Sequence, residues 1–253
     1  MSKPKSTSAS FGGFRVVAFA AALALGQTAF ANNYTYVGVG GDFNAATFDI
    51  FGDPVPNTTT FVIPVSDMAL IDPGDAVAVT LSGFQYPYAS DLQVSLSLYN
   101  NLANPPLATA DLFNQIGIVN PGDVGYDTQF GGTYSFDSTY AGDLWNTASN
   151  LASSDIIPDG AYWTTTFGSS SPDNLSYAFA GLPLAGFWVL TVVDNYPPFN
   201  GGPEAYTPGM TEWTLQVQAT STATPEPPTF AGVLLALGVI ALARTRAFRP
   251  TGR

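Results

Sequence analysis

Short runs of valine, threonine, tyrosine, phenylalanine and tryptophan recur through the middle of the chain, at 34–39, 59–65, 76–81, 92–99, 132–136, 161–167, 187–193 and 211–218. Several alternate with period two, the spacing that sends successive side chains to opposite faces of a strand. In LQVSLSLY, Leu92, Val94, Leu96 and Leu98 share one face, and Gln93, Ser95 and Ser97 the other. In TEWTLQVQ, Trp213, Leu215 and Val217 oppose Thr214, Gln216 and Gln218. Between the runs lie Gly, Pro, Asn and Asp, the residues that turns require. Asp72-Pro73-Gly74-Asp75 and Asn120-Pro121-Gly122-Asp123 read as type II turns, proline presetting the first central position and glycine supplying positive φ at the second. One stretch, 140–152, admits a short helix. About eight strands punctuated in this way predict an all-β fold, an antiparallel β-sandwich or jelly roll.

The pattern changes character at both ends. Lys3, Lys5 and Arg15 precede an apolar run at 16–25, and Ala29-Phe30-Ala31 supplies a small-x-small cleavage site. Residues 1–31 therefore read as a secretory signal peptide, and cleavage after Ala31 leaves Asn32 as the new N-terminus. At the other end, over 221–253, Pro225-Glu226-Pro227 leads into an apolar run at 230–243 and then into Arg244, Arg246, Arg249 and Arg253. As a helix that run covers roughly 21 Å, short of a hydrocarbon layer of about 30 Å. Flanking threonines in the interface and snorkelling arginines would have to complete a short transmembrane helix. Arginines on the C-terminal side place the extreme end in the cytoplasm and the body outside. The body itself, 32–220, is long enough for one domain with a substantial core.

The order of Pro225, Glu226 and Pro227, a short apolar helix and an arginine cluster opened by Arg244 and Arg246 resembles a PEP-CTERM sorting signal. That resemblance implies a substrate of exosortase, a membrane-embedded cysteine protease that removes the tail from proteins exported by Gram-negative bacteria that make exopolysaccharide. It implies an inner-membrane intermediate, held transiently by the C-terminal helix, and then a cell-surface or extracellular product. The partners it implies are exosortase, exopolysaccharide and other surface proteins.

Charge sharpens this picture. All seven basic residues belong to the two terminal segments, and of 19 acidic residues only Glu226 lies beyond Thr224, so 18 carboxylates in the body face no Lys, Arg or His. Nucleic acid is excluded as a partner, because phosphate backbones are bound by displacing counterions with Lys or Arg. A His base, a Lys imine, a Cys nucleophile and an Arg clamp are all missing from the body, leaving carboxylates, hydroxyls, backbone amides or a hard metal ion for any chemistry. The absence of cysteine means that an exported body does without disulfides.

A second resemblance rests on GYDTQFGGTYSFDS (125–138), GFWVLTVVDN (186–195) and EWTLQV (212–217). Gly186, Trp188, Leu190, Val192 and Asp194, then Trp213 and Leu215, with Asp91-Leu92-x-Val94-x-Leu96 upstream, resemble the P domain of proprotein convertases, over 60–219. The loop at 196–208 is longer than the family's connection and no protease domain precedes the body, so the resemblance implies the jelly-roll fold and not the family's role. In that frame Asp127 and Asp137 flank a Gly-rich loop and Asp91 begins a neighbouring strand, which makes Asp91, Asp127 and Asp137 candidate Ca²⁺ ligands. The same aspartates can equally cap turns and solvate the surface.

The expected function is that of an exported, non-enzymatic surface or matrix protein associated with exopolysaccharide and biofilm. Tyr86, Tyr88, Trp145, Trp163 and Tyr196 offer flat faces for sugars, and a carbohydrate-active hydrolase using paired aspartates is the alternative from another class. A module assisting a separate exported protease is a further alternative.

Overall fold

The alternation in LQVSLSLY forms a strand over the bounds it predicts, and the other runs follow. The computed structural model describes residues 31–121, 123–196 and 207–221. In chain order the strands are β1 (Ala31–Asp42), β2 (Thr47–Phe48), β3 (Pro54–Val55), β4 (Asn57–Val65), β5 (Ala69–Leu70), β6 (Val77–Tyr86), β7 (Leu92–Tyr99), β8 (Ala108–Asn114), β9 (Phe130–Phe136), β10 (Gly160–Tyr162), β11 (Gly186–Asp194) and β12 (Gly209–Ser221). Two short helices, α1 (Leu144–Ser149) and α2 (Leu175–Phe179), interrupt them. One sheet runs β1-β12-β6-β9-β10, with β5 at the end of β12, and a second runs β4-β11-β7-β8. The result is an all-β sandwich, antiparallel except where β10 lies parallel to β9.

The core sits between the two sheets. Leu92, Val94, Leu96 and Leu98 are fully buried against the inner row of the other sheet, where Trp213, Leu215 and Val217 are equally closed to solvent. Phe84, Phe113, Phe130, Tyr134 and Phe136 form an aromatic cluster with several edge-on contacts, Phe84 and Phe130 having centroids 5.1 Å apart. Trp188 stacks obliquely on Phe179 of α2 at 4.9 Å and donates its indole N–H to Leu184 O at 3.0 Å. The polar row of β7 is also covered: Ser95 and Ser97 are buried, and Ser97 shares a hydroxyl–hydroxyl bond of 2.8 Å with Thr109 across to β8. The Asp72-Pro73-Gly74-Asp75 turn closes with Asp75 N–H on Asp72 O at 3.0 Å and Gly74 at φ +105°.

The pattern reading misses β2, β3 and β5, two residues each, and three larger departures have local causes. The run 161–167 stays in the sheet only as far as Tyr162, because its backbone then bonds to other segments: Trp163 N–H to Gly142 O, Thr165 N–H to Leu112 O, and Thr164 O accepting from Asp173 N–H. β8 carries no alternation to find, since the register shift opposite Val94 and Ser95 leaves Leu112, Phe113 and Asn114 buried in succession. α2 is five residues long, too short for a helical period, and is fixed by Asn174, whose side chain accepts from Tyr177 N–H. α1 falls within 140–152, capped by the Asp143 side chain on Asn146 N–H. The signal peptide and the C-terminal helix, including Ala29, Pro225, Glu226, Pro227, Arg244 and Arg246, lie outside the described residues. Among the described residues no helix is long and apolar enough to cross a membrane.

β1 closes one side of the sandwich by leaning over Trp213. A Cβ at Gly38 would overlap the Trp213 indole nitrogen and stand 2.9 Å from Ile63 Cγ1 of β4, so a side chain there forces the two sheets apart. Gly38→Ala is expected to lower stability by about 1–3 kcal/mol through overpacking, read as a lower urea midpoint. Gly41→Ala, whose Cβ would meet Phe61 at an ordinary 3.4 Å, is expected to cost less in the same titration.

Candidate functional site

Antiparallel register brings two carboxylates to one end of the second sheet. β11 pairs Asp194 with Leu92 on β7 and with Asn57 on β4, so Asp194 ends the central part of the sheet beside Asp91, the residue that leads into β7. The next residue ties the corner together: Asn195 donates its backbone N–H and its side-chain amide to Asp91 O, at 2.9 and 3.0 Å. Asp194 is 2% exposed and accepts from Ala46 N–H at 2.9 Å, from Tyr196 N–H at 3.2 Å and from the Tyr86 hydroxyl. A carboxylate with no cation near it is thus held by three neutral donors.

In front of this pair lies a cleft of about 380 Å³ lined by Tyr88, Ser90, Asp91, Ile118, Asp123, Val124, Gly125, Asp127 and Tyr196. Gly125 lets the 123–127 loop pack there, since a Cβ on it would collide with Ser90 Cβ and sit 2.8 Å from Ile116 O. Tyr88 and Tyr196 are half-buried, and Asp127 is exposed. A second hollow of about 410 Å³, lined by Pro54, Pro56 and Phe167 among others, adjoins the first at Ile118 and Tyr196.

The electrostatics follow from the missing cations. Burial, then the Asp194 carboxylate, raise the Asp91 carboxyl from its ordinary 3.8 to about 7; Asp127 adds to the rise and the Ser90 hydroxyl, 3.3 Å away, opposes it. Burial also raises Asp194, against the pull of its hydrogen bonds from Ala46, Tyr86 and Tyr196. Tyr86 is pushed up strongly by burial and by Asp194.

The sequence-derived candidates separate. Asp91 and Asp127 line the same cleft, whereas Asp137 lines another hollow, with Tyr34, Tyr140 and Gln216, on the first sheet. The Asp137 carboxylate is turned onto its own loop, accepting from Thr139 N–H at 2.6 Å and Thr139 Oγ1 at 2.8 Å. Among the described residues no three Asp, Glu, His or Cys side chains converge to hold a metal ion. The three predicted ligands Asp91, Asp127 and Asp137 therefore do not come together as one set. Of the aromatic candidates, Tyr86 and Trp145 are buried and offer no face, Trp163 bonds Ser170 O at 3.3 Å away from the cleft, and Tyr88 and Tyr196 come together. Asp194, which the motif reading placed at a strand end without a site role, is the residue on which the cleft is built. The signal for it was the pair of strand-end sequences Asp91-Leu92 and Val193-Asp194, which meet once the strands are in register.

No protein-family model, no curated protein and no solved structure matches the chain.

Two outcomes follow from the acid pair. Asp194→Ala, which orphans Ala46 N–H, Tyr196 N–H and the buried Tyr86 hydroxyl, is expected to destabilise the protein by about 2–4 kcal/mol in denaturant titration. Asp91 has a folded pKa above its unfolded one, so between about pH 4 and pH 7 the folded state holds a proton that the unfolded state releases, and its contribution to stability falls as pH rises. Asp91→Asn is therefore expected to stabilise by about 1–2 kcal/mol at pH 8, after discounting for partial exposure, and to change little at pH 4. Melting curves across that range are the check.

Proposed function

We propose that the chain is an exported, non-enzymatic jelly-roll protein of the cell surface or extracellular matrix, which contacts neutral polysaccharide through the cleft at the Asp91 end of the sandwich. The observation that carries this reading is the convergence of Tyr88 and Tyr196 with Asp91 and Asp127 in one cleft, with a second hollow adjoining it at Tyr196. Aromatic side chains that line a cleft offer apolar faces to the C–H surfaces of sugars, and carboxylates accept from their hydroxyls. Two adjoining hollows give room for more than one sugar ring. With no Lys, Arg or His in the body, an anionic polysaccharide would meet only like charge, which favours a neutral glycan. Export and sorting rest on the leader and on the Pro225-Glu226-Pro227 tail with its arginines, processed by exosortase.

Two measurements test this. Mass spectrometry of the secreted protein is expected to find a C-terminus near Pro225 to Pro227 and no residues 230–253; an intact tail on secreted material removes the sorting reading. Co-sedimentation with insoluble neutral and anionic polysaccharides is expected to show retention on the neutral ones alone. Tyr88→Ala and Tyr196→Ala should each weaken that retention about tenfold, equivalent to about 1.4 kcal/mol.

One observation favours a second reading, a glycoside hydrolase. Asp91, held protonated to about pH 7 beside Asp127, has the character of a general acid next to a second carboxylate. The binding reading stands ahead because Asp127 is exposed to water, whereas a catalytic pair works where water is controlled. Release of reducing sugar from a neutral polysaccharide, abolished in both Asp91→Asn and Asp127→Asn, would reverse that order.

A further inference from the structure

The open edges of the two sheets differ in how they are protected. β4 carries Pro64 and follows Pro56, β8 carries Asp111 and a register shift, and β10 is three residues long. These are the usual devices that stop an edge from pairing with another chain. β1 has no proline and no bulge, and its one charge, Asp42, is its last residue. It runs 12 residues, is bonded on one side to β12, and from Asn32 to Gly41 contains neither a charge nor a proline. Among the described residues, no other hydrogen bond reaches its backbone over 32–41. Its outer row ends in bare valines, Val37 63% and Val39 85% exposed.

We propose that β1 pairs antiparallel with β1 of a second copy of this chain, about a two-fold axis at Val37, joining the two large sheets edge to edge. Charge selects this edge: 18 carboxylates without a body cation make copies repel over most of their surface, and the neutral stretch 32–41 is where they can approach. The sequence is complementary to itself in this register. Val37 faces the second copy's Val37, Thr35 faces Val39, Tyr36 faces Gly38 and Tyr34 faces Gly40, so each ring lies beside a residue with no side chain to crowd it. Asn32 faces Asp42. Once the leader is removed, as the proposed function has it, the α-amino group of Asn32 is the body's one cation and lies against the second copy's Asp42 carboxylate. Such a two-fold contact closes on itself and ends at a dimer.

The absence of cysteine makes the register directly testable. Opposed residues of an antiparallel pair have Cα atoms about 4.5–5.5 Å apart, within reach of a disulfide. Val37→Cys, in protein expressed with its own leader and tail and collected after export, is expected to oxidise to a covalent dimer at least about tenfold faster than Val124→Cys, because pairing raises the effective thiol concentration. Val124 is 88% exposed on the 123–127 loop, outside β1, and serves as the unpaired control. In sedimentation velocity the parent protein is expected to run as a dimer and Val37→Lys, still folded by its cooperative melting transition, as a monomer with a Tm that no longer depends on concentration. A monomeric parent at about 100 μM, well above the micromolar range of ordinary association, or equal cross-linking of the two cysteine variants, overturns the proposal. Retention of the leader would remove the Asn32–Asp42 contact but not the Val37 cross-link, so failure of the processing reading and failure of the pairing are distinguishable.

Discussion

In a body without lysine, arginine or histidine, a carboxylate can be satisfied only by neutral donors, and the loops of this sandwich are arranged around that constraint. Asp49 accepts from Phe51 and Asp53 amides, Asp143 from the Asn146 amide, Asp155 from that of Ala152, Asp159 from that of Thr133, and Asp194 from those of Ala46 and Tyr196. Each bond turns a charge that would otherwise repel its neighbours into a clamp on the chain. Between these clamps the two sheets are held by apolar packing, with Trp188, Trp213 and the phenylalanine cluster at the centre. Ion pairing, the usual way to tie a surface loop to a strand, is replaced throughout the described body by amide-to-carboxylate bonds.

The cleft at the sheet end is a product of the same constraint. Asp194 uses its oxygens to fix Ala46 and Tyr196, and so sets where one wall of the cleft stands. Asp91, next to it, is half-buried and lacks comparable donors; burial first, then the Asp194 carboxylate, hold its proton into the neutral range. A structural carboxylate thus adds to what burial does to its neighbour. The arrangement joins the architecture of the second sheet to the chemistry at its edge, with Tyr88 and Tyr196 as the apolar walls.

Strands with clean alternation were legible because burial repeats with the pleat: β7 and β12 keep Leu92 to Leu98 and Trp213 to Val217 inward without a break. β8 was not, because a bulge destroys the period and ATADLFN has little of the β-branched composition that marks a strand. The end of β10 was hidden for a different reason: composition continues while the backbone bonds leave for three other segments. At the site, residue type identified Asp91, Asp127, Tyr88 and Tyr196 as carriers of chemistry. Register, a long-range property, was needed to separate Asp137 from them and to add Asp194. The two terminal segments are read from sequence alone.

β1 and β12 pair along nearly their whole length, Ala31 with Thr220 through Asp42 with Gly209, although they stand at opposite ends of the body. β12 also supplies the neighbour of β6, so the middle of the large sheet is vacant until the final strand arrives. For a chain threaded across a membrane from its N-terminus, this means that the first strand waits, unpaired, through the passage of everything that follows. Closure of the sheet is an event at the end of translocation, dominated by contacts of great sequence separation and correspondingly slow. If the chain is exported as proposed, the same architecture would postpone folding until the polypeptide up to Ser221 has crossed.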